Sequence, residues 1–99
     1  MPSKELSWKY VEETTVEPDV IARARAQSVE QGIDAVSPAT GAQLALLCGA
    51  VDAQSIIEIG TGLGVSGLWM LSGAPHAHLT SIDLEADHHE VARTAFTDA

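Results

Sequence analysis

The stretch EIGTGLGVSG, Glu58 to Gly67, places glycine at positions 60, 62, 64 and 67, directly behind the apolar pair Ile56-Ile57. Glycine weakens regular structure, so a chain that crowds it there needs backbone conformations, or close approaches, that side chains forbid. The segment before the glycines, SIIEIG, is short, β-branched and apolar, the pattern of a strand buried on both faces of a parallel sheet over Ser55–Ile59. The segment after them, VSGLWMLSG, returns to helical spacing with Val65, Leu68, Trp69 and Leu71. A strand, a glycine turn and a helix in that order form half of a βαβ unit, which commits the chain to an α/β fold.

The flanking sequence fits that frame. HLTSID reads as a second strand, with Leu79 and Ile82 apolar and Asp83 at its end. EADHHEVARTAF reads as a helix that turns Val91, Ala92, Ala95 and Phe96 inward. Upstream, PDVIARARAQSVEQG predicts a helix, with Pro18 and Asp19 suited to its start and Gly32 to a left-handed end. Its face is Val20, Ile21, Ala24 and Ser28. Ser37 and Pro38 supply the N-cap and first residue of a further helix, whose inward side is read as Leu44, Leu47, Cys48 and Val51. Residues 1–17 are polar, with Trp8, Tyr10 and Val11 between glutamates, and read as an arm that is mobile or docks on a partner or on its own domain.

A strand that runs through glycines into a helix N-terminus is a ligand-binding arrangement. The first helical turn has unpaired N–H groups, and glycines let a ligand approach the backbone. Asp83, at the end of the second strand, lies beside that loop at the carboxyl edge, where a carboxylate accepts hydrogen bonds from a ribose diol. The ligand therefore has a nucleoside and a second polar group. The dinucleotide fingerprint G-x-G-x-x-G fails at Val65; the spacing is G-x-G-x-G through Gly60, Gly62 and Gly64. Glu58, two residues before the first glycine, repels a pyrophosphate and suits the ammonium of a methionine moiety, and Ser66 is placed to bind that moiety's carboxylate. These features favour S-adenosylmethionine over NAD or FAD. The competing explanation is that the glycines serve only close helix–strand packing.

IIEIGTGLGVSGLWML and the later LTSIDLEADHHEVARTAF together resemble the first two strand–helix units of the class I methyltransferase fold. More narrowly, the pair resembles the catechol and caffeoyl-CoA type O-methyltransferases, including actinobacterial members, and DAVSPATGAQLALL matches the helix that leads into their cofactor site. The resemblance runs from about Asp34 to the end of the chain. It implies a partial Rossmann-like methyltransferase fold, N-terminal helices plus two βα units of a parallel sheet, with 1–17 an arm and 18–99 the N-terminal half of a cofactor-binding domain. It also implies roles: Val36 touching the methionine end through its backbone, and Glu58 anchoring the loop and the amino group. Gly60, Thr61 and Gly62 would line the methionine portion, Ser66 bind its carboxylate, Asp83 hold the ribose and Leu84 lie against adenine. The lysine that aids substrate deprotonation in some members is replaced by Thr40, which cannot act as that base.

The family's sheet has seven strands and this chain supplies two, so the resemblance implies a fragment, inactive alone. Its small-molecule hydroxyl substrate and any divalent metal would be held by residues outside the chain. One sheet edge and its apolar side chains would lack a cover, which implies a homodimer or a missing C-terminal half. An NAD-type oxidoreductase fragment and a non-catalytic association module are the alternatives.

Composition bears on partners. Five Lys and Arg against fourteen Asp and Glu give a net charge of −9, which argues against nucleic acid or an anionic membrane surface. The single Cys48, in an apolar helical run, reads as a small core residue and points to no oxidising compartment; a cytoplasmic protein is the default. His76, His78, His88 and His89 read as surface residues rather than a zinc site, Trp69 as core, and Arg23 and Arg25 as a solvated face.

Overall fold

The computed structural model describes residues 3–99; Met1 and Pro2, the start of the arm, lie outside the described residues. The elements are α1 (Lys4–Thr14), α2 (Asp19–Glu30), α3 (Pro38–Ala50), β1 (Ser55–Ile59), α4 (Val65–Gly73), β2 (His78–Ile82) and α5 (Ala86–Asp98). β1 and β2 pair in parallel, Ser55 opposite His78 through Ile59 opposite Ile82. The carboxyl ends of both strands therefore lie side by side, where the glycines begin.

The starts and stops obey local chemistry. The Ser37 hydroxyl accepts the Thr40 N–H at 3.3 Å, with Pro38 in the first turn of α3. Gly32, at φ +68°, takes the left-handed conformation just past α2. Ile21, Ala24 and Ser28 form the buried face of α2. Ile21 and Ala24 meet Val65, Leu68 and Trp69 of α4 and Ala95 of α5 in the core, with Ala42, Ala45 and Phe96 packed around it.

The tightest contact in the fold joins α3 to α4. Gly41 lies flat against the Trp69 indole and Gly73 against the Ala45 carbonyl, so a methyl group at either glycine would overlap its neighbour. This contact corrects part of the expected face of α3, of which Leu44 and Cys48 are half-buried. Its inward side is Gly41 with half-buried Ala42 and Ala45, while Leu47 and Val51 are exposed. Small residues win because the indole occupies the room that larger ones would need.

Two other expectations change, those for β1 and for Arg25. β1 is buried on one face only: Ile56 and Glu58 are covered, whereas Ile57 is 75% and Ile59 87% exposed. The helices that contact the strands lie on the Glu58 side. The polar segment read as an arm contains α1, started by Ser3, whose hydroxyl accepts the Leu6 N–H at 3.1 Å. α1 rests on α3 and buries none of its own residues. Arg25 is not simply solvated, for it donates from Nε and Nη2 to the Glu17 carboxylate at 2.8 and 2.9 Å. Glu17 also accepts the Trp69 Nε1–H at 2.9 Å. Burial pushes the Glu17 carboxyl up, but the hydrogen bonds from Arg25 and Trp69 and the charge of Arg25 outweigh it and leave it lowered. The linker before α2 is thus pinned to the indole that organises α3 and α4.

Gly41→Ala should cost about 1–3 kcal/mol of stability through overpacking against Trp69. Urea denaturation monitored by tryptophan fluorescence measures it. A variant as stable as the parent would show that this contact yields without cost.

Candidate functional site

The site is built at the carboxyl edge, between the end of β1 and the start of α4. Gly60, Gly62 and Gly64 have φ of +91°, +53° and +101°, the region that side chains rarely adopt. Alternate residues take this conformation, which is why the spacing is G-x-G-x-G: the third glycine is the N-cap of α4, and Val65 is already helical and buried. The packing explanation belongs to Gly67 instead. A Cβ there would lie 2.8 Å from Phe96 Cζ and 3.0 Å from Leu79 Cδ2, whereas nothing stands within 4 Å of one at Gly60. The backbone at Gly60 is open to a ligand.

Behind the loop, Glu58 is buried with its carboxylate turned to the helix side of the sheet. Ser66 Oγ donates to its Oε2, and Ser81 Oγ donates to its Oε1 at 2.7 Å. Ser81 and Thr61 hydroxyls also share a hydrogen bond at 2.7 Å. Glu58 therefore ties the end of β1 to β2 and to the first turn of α4. Ser66 differs from expectation. Its hydroxyl proton is committed to Glu58, so a ligand carboxylate would meet the free backbone N–H groups of the first turn of α4 instead.

Over the loop lies a cavity of about 130 Å³, walled by Val36, Gly60, Thr61, Gly62 and Ser66, with Ile33 opposite. The residues expected at the methionine end thus meet in one place, with Glu58 behind the wall rather than in it. A cavity of about 430 Å³ lies on the far side of Thr61, between β2 and α5, with Leu79 and Phe96 in its walls. It contains none of the loop glycines.

Asp83 Oδ2 accepts the Gly62 N–H and Oδ1 the Glu85 N–H, each at 2.9 Å. Those two bonds, Glu85's first, and the nearby His88 overcome the effect of burial and lower its pKa to about 2. Each oxygen retains lone-pair capacity for a hydroxyl donor. Leu84, next in the chain, is fully exposed and available to a flat ring.

Sequence reasoning missed two parts of the site. Ser81 became recognisable only through the strand register, which sets it opposite Glu58. His88 and His89 are half-buried rather than surface residues. His89 Nε2 accepts the Asp83 N–H at 3.1 Å, and His88 Nδ1 stands 3.5 Å from Asp83 Oδ2. Among the described residues no three His, Cys, Asp or Glu side chains come together in a group able to hold a metal ion.

No protein-family model matches the chain. It is 44% identical over 91 residues to a protein of Mycobacterium sp. (strain KMS) named as a candidate O-methyltransferase, a match that takes in 91% of this chain and 41% of the relative. Among solved structures, the O-methyltransferase TomG from Streptomyces achromogenes, involved in tomaymycin synthesis and in complex with S-adenosylmethionine, superposes with a TM-score of 0.81 at 26% identity. That likeness covers 99% of this chain and 47% of TomG. The O-methyltransferase from Bacillus cereus in complex with S-adenosylhomocysteine gives 0.77 at 26% identity, over 90% of this chain and 42% of that one. The architecture is that of part of a Rossmann-like methyltransferase domain, and the chain spans less than half the length of these relatives.

Asp83 has a lowered pKa, so its contribution to stability is complete above its ordinary value of 3.8 and is lost as the pH falls toward about 2. Urea midpoints across that window should fall more steeply for the parent than for Asp83→Asn. Parallel curves would mean that the two backbone N–H bonds do not distinguish the charged carboxylate.

Proposed function

We propose that the chain is the cofactor-binding part of an S-adenosylmethionine-dependent O-methyltransferase that methylates a hydroxyl of a small molecule. The observation that carries this reading is the open, positive-φ backbone at Gly60 and Gly62 beside the charged Asp83. When bound, S-adenosylmethionine supplies an electrophilic methyl group on a sulfonium. The chain's own residues bind and orient. Val36, Gly60, Thr61 and Gly62 border the methionine end, Asp83 accepts the ribose hydroxyls, and Leu84 covers the adenine. Glu58 holds the loop in shape through Ser66 and Ser81. Holding two reactants in line supplies much of the rate of such a transfer.

The acceptor pocket, the base and any divalent metal are assigned to residues beyond these 99, since the relatives are more than twice as long and Thr40 is no base. The exposed Ile57, Ile59 and Ile82 fit a face covered by a C-terminal half or, without it, by a second copy. Net charge and the single cysteine suit a cytoplasmic setting. Two observations weigh against a dinucleotide: the spacing of the glycines and the buried negative charge of Glu58 behind them.

Calorimetric titration with S-adenosylhomocysteine tests the reading, with NADH as comparison. The chain should bind S-adenosylhomocysteine, and Asp83→Ala should weaken binding at least about tenfold through loss of charge-assisted hydrogen bonds. Circular dichroism would confirm that the variant is folded. Binding of NADH alone would favour the oxidoreductase reading. Stable dimers without affinity for either ligand would favour an association module.

A further inference from the structure

Asp83 directly follows β2 and is contacted from the first turn of α5. Its two carboxylate oxygens accept the N–H groups of Gly62 and Glu85. Its own N–H donates to His89 Nε2 at 3.1 Å. The neighbouring His88 has Nδ1 buried, 3.5 Å from Asp83 Oδ2 and without a hydrogen-bond partner. Consecutive histidines on one helical turn therefore address opposite ends of the same residue, its backbone and its carboxylate.

The two contacts present different ring nitrogens to Asp83. To accept an N–H, His89 must be neutral with its proton on Nδ1. His88 turns Nδ1 toward a carboxylate, which only accepts, so the contact is favourable when that nitrogen carries the ring's proton. Two rings of the same kind thus differ in what they present, a bare nitrogen to a donor and a protonated one to an acceptor.

We propose that His88 and His89 are positioning residues for the nucleoside end of the site, His89 fixing the backbone of Asp83 and His88 its carboxylate. This rests on the reading of Asp83 as the ribose-binding group. Neither ring is assigned a contact with ligand. Without His89 the Asp83 N–H loses its partner, and Asp83 is held only through its carboxylate, by Gly62, Glu85 and the neighbouring His88.

Three variants test it: His89→Leu, which cannot accept the N–H; His89→Gln, whose amide oxygen can; and His88→Leu. Long-range ¹⁵N–¹H spectra of the parent chain should show His89 protonated on Nδ1 with Nε2 bare. Exchange of the Asp83 amide proton should be about tenfold or more faster in His89→Leu and return toward the parent rate in His89→Gln. S-adenosylhomocysteine affinity should fall at least about fivefold in His89→Leu, recover in His89→Gln, and fall in His88→Leu. Removing His88 should also raise the pKa of Asp83.

An Nε2–H tautomer of His89, an Asp83 amide that exchanges equally in all variants, or a His89→Gln as defective as His89→Leu would overturn the inference. The tautomer and exchange signatures are read without ligand. A parent chain that shows them and yet binds no S-adenosylhomocysteine would contradict the cofactor reading instead.

Discussion

A buried carboxylate organises this molecule. Glu58 lies at the inner face of β1, where an unpaired charge would be strongly unfavourable. It is tolerated because Ser66 from α4 and Ser81 from β2 each donate a hydroxyl to it. Those bonds join the three elements that meet at the glycine loop, and Thr61 joins them through Ser81. The loop can then keep an open backbone at Gly60 without collapsing, because the residues on both sides of it are fixed. Glu58 thereby shapes the glycine loop from behind, although its carboxylate does not line the cavity beside it.

A second centre supports the first from the far side of α4. Trp69 packs on Gly41 and donates to Glu17, which is itself held by Arg25. α2, α3 and the linker from α1 are therefore referenced to one indole. The two centres lie on the same helix, Ser66 in its first turn and Trp69 one turn later, so the packing of the helical layer and the geometry of the loop are mechanically linked. The opposite face of the sheet has no such layer among the described residues: Ile57, Ile59 and Ile82 are exposed there, next to Leu84 at the edge of the site. Apolar side chains so placed favour association with further protein.

Much of this was legible in the residues. The bounds of β1 and the start of α4 came from a β-branched run that stops at glycine and a helical spacing that resumes after Gly64. Asp83 came from its place at the end of the second strand. The missing parts had physical reasons. α1 is exposed nearly all round, so no apolar stripe marked it. α3 is apolar on several sides, with Leu44, Leu46 and Leu47 close together, and the choice of face was made by a tertiary fact, the fit of Gly41 to Trp69. Ser81 needed the strand register. The roles of His88 and His89 depended on how the turn at Leu84 and Glu85 brings the first turn of α5 back onto Asp83, which no periodicity encodes.

The most direct test is a structure of the chain with S-adenosylhomocysteine bound, from crystals or from intermolecular NOEs. The ribose hydroxyls should lie at the Asp83 carboxylate and the amino-acid end against Gly60 to Gly62, below Val36. A nucleoside seated instead in the larger cavity between β2 and α5, away from Asp83, would contradict this placement and the role given to the glycine loop.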